Sequence, residues 1–135
     1  MVGKKIRLSR IFNKISGNSF IVALDHGMTL GPLKGIEDLS KTLSELFAGE
    51  RKPDAVLMTP AMIRRYHEIL CKEEVGIIAR IDGGITILGP DLTNFRMLST
   101  VEEALKIGAD AVVTNLFIGI TRESQSFQRI SKISQ

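Results

Sequence analysis

Tryptophan is absent from the 135 residues, cysteine occurs once and histidine twice. Each scarcity excludes something. A single cysteine, Cys71, cannot close an internal disulfide and fits a reducing cytoplasm; it reads as a small, buried apolar residue on a helix. The two histidines, His26 and His67, lie far apart and show no ligand spacing, so no metal site is expected, and His67 reads as a surface residue. No apolar run approaches the ~20 residues of a membrane helix. The N-terminus lacks the apolar segment and cleavage site of a secretory signal. No P-loop or complete GxGxxG occurs, so a nucleotide site is unsupported.

What is present is ordinary in amount and uneven in placement. Hydrophobic residues make up 44% and charged residues 24%, which suits one globular domain with a real core. Lys4, Lys5, Arg7, Arg10 and Lys14 all precede the first acid, Asp25; without these five of the 18 bases, 13 face 15 acids. The basic run is interrupted by Leu8, Ile11, Phe12 and Ile15, which share a helical face. Residues 1–18 are therefore predicted to form a basic leader helix packed on the domain. Nucleic-acid and membrane partners are not expected.

Strand and helix signals then alternate. Residues 19–24 read as a buried strand, and Ile36, Leu39, Leu43, Leu46 and Phe47 follow at helical spacing up to Gly49. "DAVLM" at 54–58 is a second strand, after which Thr59-Pro60 supplies an N-cap and a proline at the first helical position. Residues 75–81 form the third strand, closed by Asp82-Gly83-Gly84. A longer loop to residue 98, with a short turn of helix, precedes the capping box at Thr100–Glu103. "DAVVTN" at 110–115 is the fourth strand, and 121–135 is weakly helical with Phe127, Ile130 and Ile133 on one side. The phrases "PDAVLMT" and "ADAVVTN" echo one another. This βαβαβαβα order predicts parallel strands with right-handed crossovers: four units of a (β/α)8 barrel, or a small doubly wound sheet.

Reactive groups gather at the carboxyl ends of parallel strands. Four such ends occur here: Asp25-His26-Gly27, Met58-Thr59, Asp82-Gly83-Gly84 and Asn115. An aspartate leaving an apolar strand is suited to general acid or base work, or to fixing a turn through loop amides. His26 is the weaker candidate, since successive strand residues face opposite ways. Arg80 and Asp82 share one side of the third strand and suit an ion pair. Lys34, Lys41, Lys52, Lys72, Lys106 and Lys132 fall on loops or polar helix faces, so no desolvated nucleophilic lysine is evident.

"IVALDHGMTLGPLKGIEDLSKTL", "VGIIARIDGGITIL" and "TVEEALKIGADAVVTNLFIG" resemble the N-terminal half of archaeal-type class I aldolases. That group includes fructose-bisphosphate aldolases, 2-amino-3,7-dideoxy-D-threo-hept-6-ulosonate synthases of an aromatic pathway, and the thiolase acting on autoinducer-2 phosphate. The resemblance covers almost the whole chain, and it implies a single partial (β/α)8-barrel domain over 1–135, a Schiff-base aldolase or transaldolase acting on sugar phosphates, and an oligomer. It makes Asp25 the catalytic acid or base and places His26, Gly27, Met28 and Thr29 along the substrate, with no metal and no cofactor. The family's Schiff-base lysine, acid tyrosine and phosphate loops belong to later strands, so the isolated chain is expected to be inactive. It reads as a half-gene product, a shortened chain or an unfinished reading frame, with a homo-oligomer or a complementary C-terminal half expected as partner. Asp82 stands where many members carry serine, and Asn115 where some carry histidine. The alternatives are a non-catalytic half-barrel binding or assembly module and a small doubly wound regulatory domain.

Overall fold

The computed structural model describes residues 2–134; Met1 and Gln135, the ends of the expected leader and closing helices, lie outside the described residues. The elements run α1 (Val2–Ile11), β1 (Ile21–Ala23), α2 (Gly27–Leu30), α3 (Leu39–Ala48), β2 (Ala55–Met58) and α4 (Pro60–Glu73). They continue with β3 (Gly76–Arg80), β4 (Asp82–Gly83), β5 (Arg96–Met97), α5 (Val101–Lys106), β6 (Ala111–Val113) and α6 (Glu123–Ile133). The main sheet has four strands in the order β1-β2-β3-β6, each pairing parallel to the next.

Alternation along the strands divides the side chains between two faces. Val56, Met58, Ala79 and Ile81 join Leu43 and Phe47 of α3 and Ile63 and Leu70 of α4 in the main core. The opposite face carries Ala55 and Ile78 with Leu57, Ala111 and Val113, and only Ile11 of α1 is buried against it. Three crossover helices on one face and none of them on the other is the first half of a (β/α)8 barrel, not a doubly wound sheet. Its concave side is open: Ile21 of β1 is 43% exposed.

The helices start where the sequence marks them. Thr59 accepts the Met62 N–H at 3.3 Å ahead of Pro60. Thr100 and Glu103 form the complete capping box, which holds the Glu103 carboxyl below the usual carboxylate range, chiefly through the Thr100 backbone N–H. Asp38 caps α3, so that helix begins at Leu39, and Ile36 reaches the core from the preceding turn.

The repeated "DAV" phrase has a structural cause. Asp54 accepts the Phe20 N–H at 2.7 Å and Asp110 accepts the Ile77 N–H at 3.0 Å. Each aspartate thus stands just before one strand and captures an amide at the start of its neighbour, which sets the parallel register. Asp110 also pairs with Arg10 of α1 at 2.9 Å, fastening that helix across the amino ends of the strands. Gly76 allows this approach, since a Cβ there would lie 2.7 Å from the Arg10 carbonyl oxygen.

Several expectations are corrected. The leader helix stops at Ile11, and the Asn13 side chain accepts the N–H groups of Ile15 and Ser16 to turn the chain. Of the proposed apolar stripe only Ile11 is buried, while Phe12 is 45% and Ile15 98% exposed. Cys71 is exposed, on the polar side of α4. His67 is exposed as expected. Residues 84–95 form turns rather than helix, and β4 and β5 pair antiparallel across them. In α6, Phe127 is half exposed, and Ser126 takes the buried position.

Removing the Asp110 carboxylate strands a buried Ile77 N–H. Asp110→Ala is therefore expected to lower the unfolding free energy by about 1–3 kcal/mol. Arg10→Ala, which removes an exposed partner, is expected to cost less than about 1 kcal/mol. Urea unfolding of both variants checks the order, and equal losses would mean that the ion pair, not the amide bond, is what matters.

Candidate active site

The carboxyl ends of the strands bring together residues distant in sequence. The pairing register aligns Ile21 with Ala55 and Ala55 with Gly76. Continued four residues on, it sets Asp25 level with Arg80. At that level β2 has already ended and Thr59 caps α4. The Arg80 guanidinium crosses to the far strand, where Nη1 donates to Asp25 Oδ2 in a short contact, and its Nε lies 3.4 Å from Asp82 Oδ1. Arg80 continues the inward alternation of Ile78, so the Asp25 carboxylate lies on the concave side.

The two aspartates have different surroundings. Asp82 is fully buried and accepts from Thr114 Oγ1 at 2.9 Å, the Asn115 N–H at 2.7 Å and Asn115 Nδ2 at 3.3 Å, besides Arg80. Asp25 is 4% exposed, and among the described residues only Arg80 donates to it. Among the described residues its Oδ1 accepts no hydrogen bond, and it is not fully buried.

Aromatic rings close the outer side. Phe95 is buried with its ring centroid 5.1 Å from the Arg80 guanidinium carbon, and Phe117 meets Phe95 edge-on at 5.0 Å. A guanidinium between carboxylates and a ring face is held in one plane. Arg129 of α6 donates to the Phe95 carbonyl at 2.9 Å and fixes the roof.

The remaining candidates fall around this core. His26 is exposed, with Nδ1 4.0 Å from Asp25 Oδ1. The strand has already ended there: His26 has φ −57° and ψ −35°, so strand alternation no longer separates it from Asp25. Gly27, Met28 and Thr29 lie in the single turn of α2. Met28 packs over Gly83, where φ is +151°, and Thr29 Oγ1 is buried without a hydrogen-bond partner. Gly83 and Asn115 share the Asp25 end of the sheet, as expected. The sequence paired Arg80 with Asp82 alone and missed its bond to Asp25, as well as Phe95, Phe117, Thr114 and Arg129. Strand register was the available signal for Asp25–Arg80; nothing local marks Phe95 inside a turn-rich loop.

All nine lysines are exposed. Among the described residues, no three His, Cys, Asp or Glu side chains gather as a metal site.

The sequence model of the family described as DeoC/LacD family aldolase matches residues 19–135. The chain belongs to that family. It is 33% identical to an uncharacterised aldolase of Saccharolobus solfataricus, over 99% of this chain and 50% of that protein. It is 34% identical to the 2-amino-3,7-dideoxy-D-threo-hept-6-ulosonate synthase of Halobacterium salinarum, over 98% of this chain and 47% of the relative. The crystal structure of an archaeal fructose 1,6-bisphosphate aldolase superposes with a TM-score of 0.73 at 25% identity, covering 96% of this chain and 50% of the other. A second archaeal fructose-1,6-bisphosphate aldolase structure, whose catalytic lysine is bound to the carbinolamine intermediate, gives 0.74 at 25% identity, covering 96% and 51%. The chain thus spans about half the length of the relatives it matches.

The Arg80 bridge sets a stability test. Arg80→Met leaves two buried carboxylates without their cation and is expected to cost about 3–5 kcal/mol, read by urea unfolding. Arg80→Lys is expected to recover less than half of that, because an ammonium cannot present two faces to two carboxylates. Full recovery by lysine would show that charge alone matters at this position.

Proposed function

We propose that this chain supplies the Asp25 side of a class I, Schiff-base aldolase or transaldolase site for sugar phosphates. Fructose-bisphosphate aldolase and 2-amino-3,7-dideoxy-D-threo-hept-6-ulosonate synthase chemistry are the readings its relatives favour. The observation that carries the proposal is the carboxylate at the end of β1, anchored through one oxygen and open through the other. In imine catalysis a protonated Schiff base accepts the electron pair of the breaking C–C bond while a general base takes the hydroxyl proton. Asp25 Oδ1 is placed for the second role, with His26, Gly27, Met28 and Thr29 as the adjoining wall of the substrate space. Imine chemistry of this kind uses a lysine amine and needs no metal or other cofactor.

That lysine has to come from elsewhere. An exposed ammonium stays hydrated and protonated near neutral pH, whereas imine formation requires a neutral amine. The open concave face and the unpaired outer edges of β1 and β6 suit a complementary C-terminal half of the barrel, or association with further copies. The same face supports a second reading, a non-catalytic half-barrel that serves in binding or assembly. We place either activity in the cytoplasm, in keeping with the single exposed thiol. No helix among the described residues is long and apolar enough to cross a membrane.

Borohydride trapping with fructose 1,6-bisphosphate, followed by mass spectrometry, separates the two readings. The isolated chain is expected to form no stoichiometric lysine adduct. Supplied with a complementary half that carries an apolar-strand lysine, it is expected to become active and to lose ~10²–10⁴ in rate on Asp25→Asn. Full activity in that variant would reduce Asp25 to a loop anchor, and no activity on complementation would favour the assembly reading.

A further inference from the structure

We propose that the cleft between α6 and residues 94–97 binds a phosphorylated small molecule through its dianionic phosphoryl group. The cleft has a volume of about 420 Å³ and is lined by Arg96, Arg122, Arg129 and Lys132, with the amides of Asn94 and Gln125 beside them. No carboxylate is among its lining residues. Arg122 at the N-cap and Gln125, Arg129 and Lys132 within α6 follow at steps of three, four and three, so three cations gather along one side of the helix and its cap. Such a stripe repels itself and is stabilised by a counter-charge.

Among the described residues, no acid pairs with these cations: none of Arg96, Arg122, Arg129 and Lys132 takes part in a salt bridge. Arg129 is partly buried, yet its partners are neutral oxygens: Phe95 O at 2.9 Å, Ser126 Oγ at 3.1 Å and Asn115 O at 3.4 Å. Its Nε is buried without any partner. The acids nearest in sequence are Glu123, beside Arg122, and Asp91, whose carboxylate is engaged by Thr93 at 2.6 and 2.9 Å. Asp91 is held below the usual carboxylate range mainly by those bonds, with Arg122 the least of the causes. The field in the cleft is accordingly positive, and guanidinium groups match a phosphoryl group in charge and in hydrogen-bond geometry.

The placement favours a small molecule over a polynucleotide. The other basic cluster, on α1, is fastened through Arg10 and Asp110 at the amino ends of the strands, whereas the cleft lies at their carboxyl ends. No continuous basic stripe joins them, as a nucleic-acid backbone would require. The cleft shares Phe95 and Arg129 with the roof over Arg80, so a bound phosphoryl group would sit one residue behind the Asp25 network. The site does not depend on the aldolase reading.

Inorganic phosphate and pyrophosphate, titrated into the chain at low ionic strength and followed by amide NMR shifts, test this. Saturable binding is expected, with shifts confined to residues 94–97 and 122–132. The double variant Arg122→Gln, Lys132→Gln removes two exposed charges without touching the core and is expected to weaken binding about tenfold or more. Lys4→Gln with Lys5→Gln is expected to leave it unchanged. The proposal is overturned by shifts centred on α1, by binding that the cleft variant does not weaken, or by no saturation up to about 10 mM pyrophosphate. It is also overturned if a single-stranded oligonucleotide displaces pyrophosphate from the cleft at equal phosphate concentration.

Discussion

A single guanidinium decides how the carboxyl ends of the strands are organised. Asp25, just past β1, and Asp82, at the start of β4, project into the same buried space, and the cation between them is Arg80. Two desolvated carboxylates without that cation would repel one another and force one to take a proton or leave. Arg80 holds both, and Phe95 keeps its plane between them. The remaining donors then divide the work. Asp82 receives three more hydrogen bonds, from Thr114 and Asn115, and is saturated as a structural anchor. Asp25 receives none besides Arg80 and keeps one oxygen open. Two like residues acquire different duties from the number of donors each one meets.

Most of the fold was legible because it is written in local chemistry. Alternation of β and α signals, the Thr59-Pro60 start and the Thr100–Glu103 capping box all lie within a few residues of what they specify. The "DAV" echo was visible as a repeat, but its meaning was not, since Asp54 and Asp110 act on amides 34 and 33 residues away. The leader helix misled for the opposite reason. Leu8, Ile11, Phe12 and Ile15 keep helical spacing, yet the Asn13 side chain captures the following amides and ends the helix before the stripe is complete. A local turn bond outcompeted a pattern that had nothing to pack against.

The site was legible in part. Asp25, Asp82 and Asn115 were marked by their positions at strand ends, because βα architecture gathers such ends wherever they fall in sequence. The Asp25–Arg80 bond needed the register of three strands, which only the folded sheet provides. Phe95 and Arg129 were out of reach, since one sits in a turn-rich loop and the other on a weakly patterned helix. On α6 the apolar spacing of Phe127, Ile130 and Ile133 suggests a packed face, yet Phe127 is half exposed and Arg122, Arg129 and Lys132 line a cleft.

The two faces of the sheet differ in how fully they are packed. The helix-covered face is a full core, with Leu43, Val56, Met58, Ile63 and Leu70 almost wholly buried. The concave face mixes Ala55 and Ala111 with Leu57, Ile78 and Val113, and Ile21 stands half in solvent. Barrel interiors are filled in layers from alternate strands, with small residues on one side leaving volume for large ones opposite. Alanines on this side therefore leave room that bulky side chains of opposing strands would occupy. Under the proposed aldolase reading, such strands would also cover Asp25 Oδ1, and a lysine carried on one of them would be desolvated as imine formation demands. On that reading, the room on this face and the need for a desolvated amine would be met by one and the same covering layer.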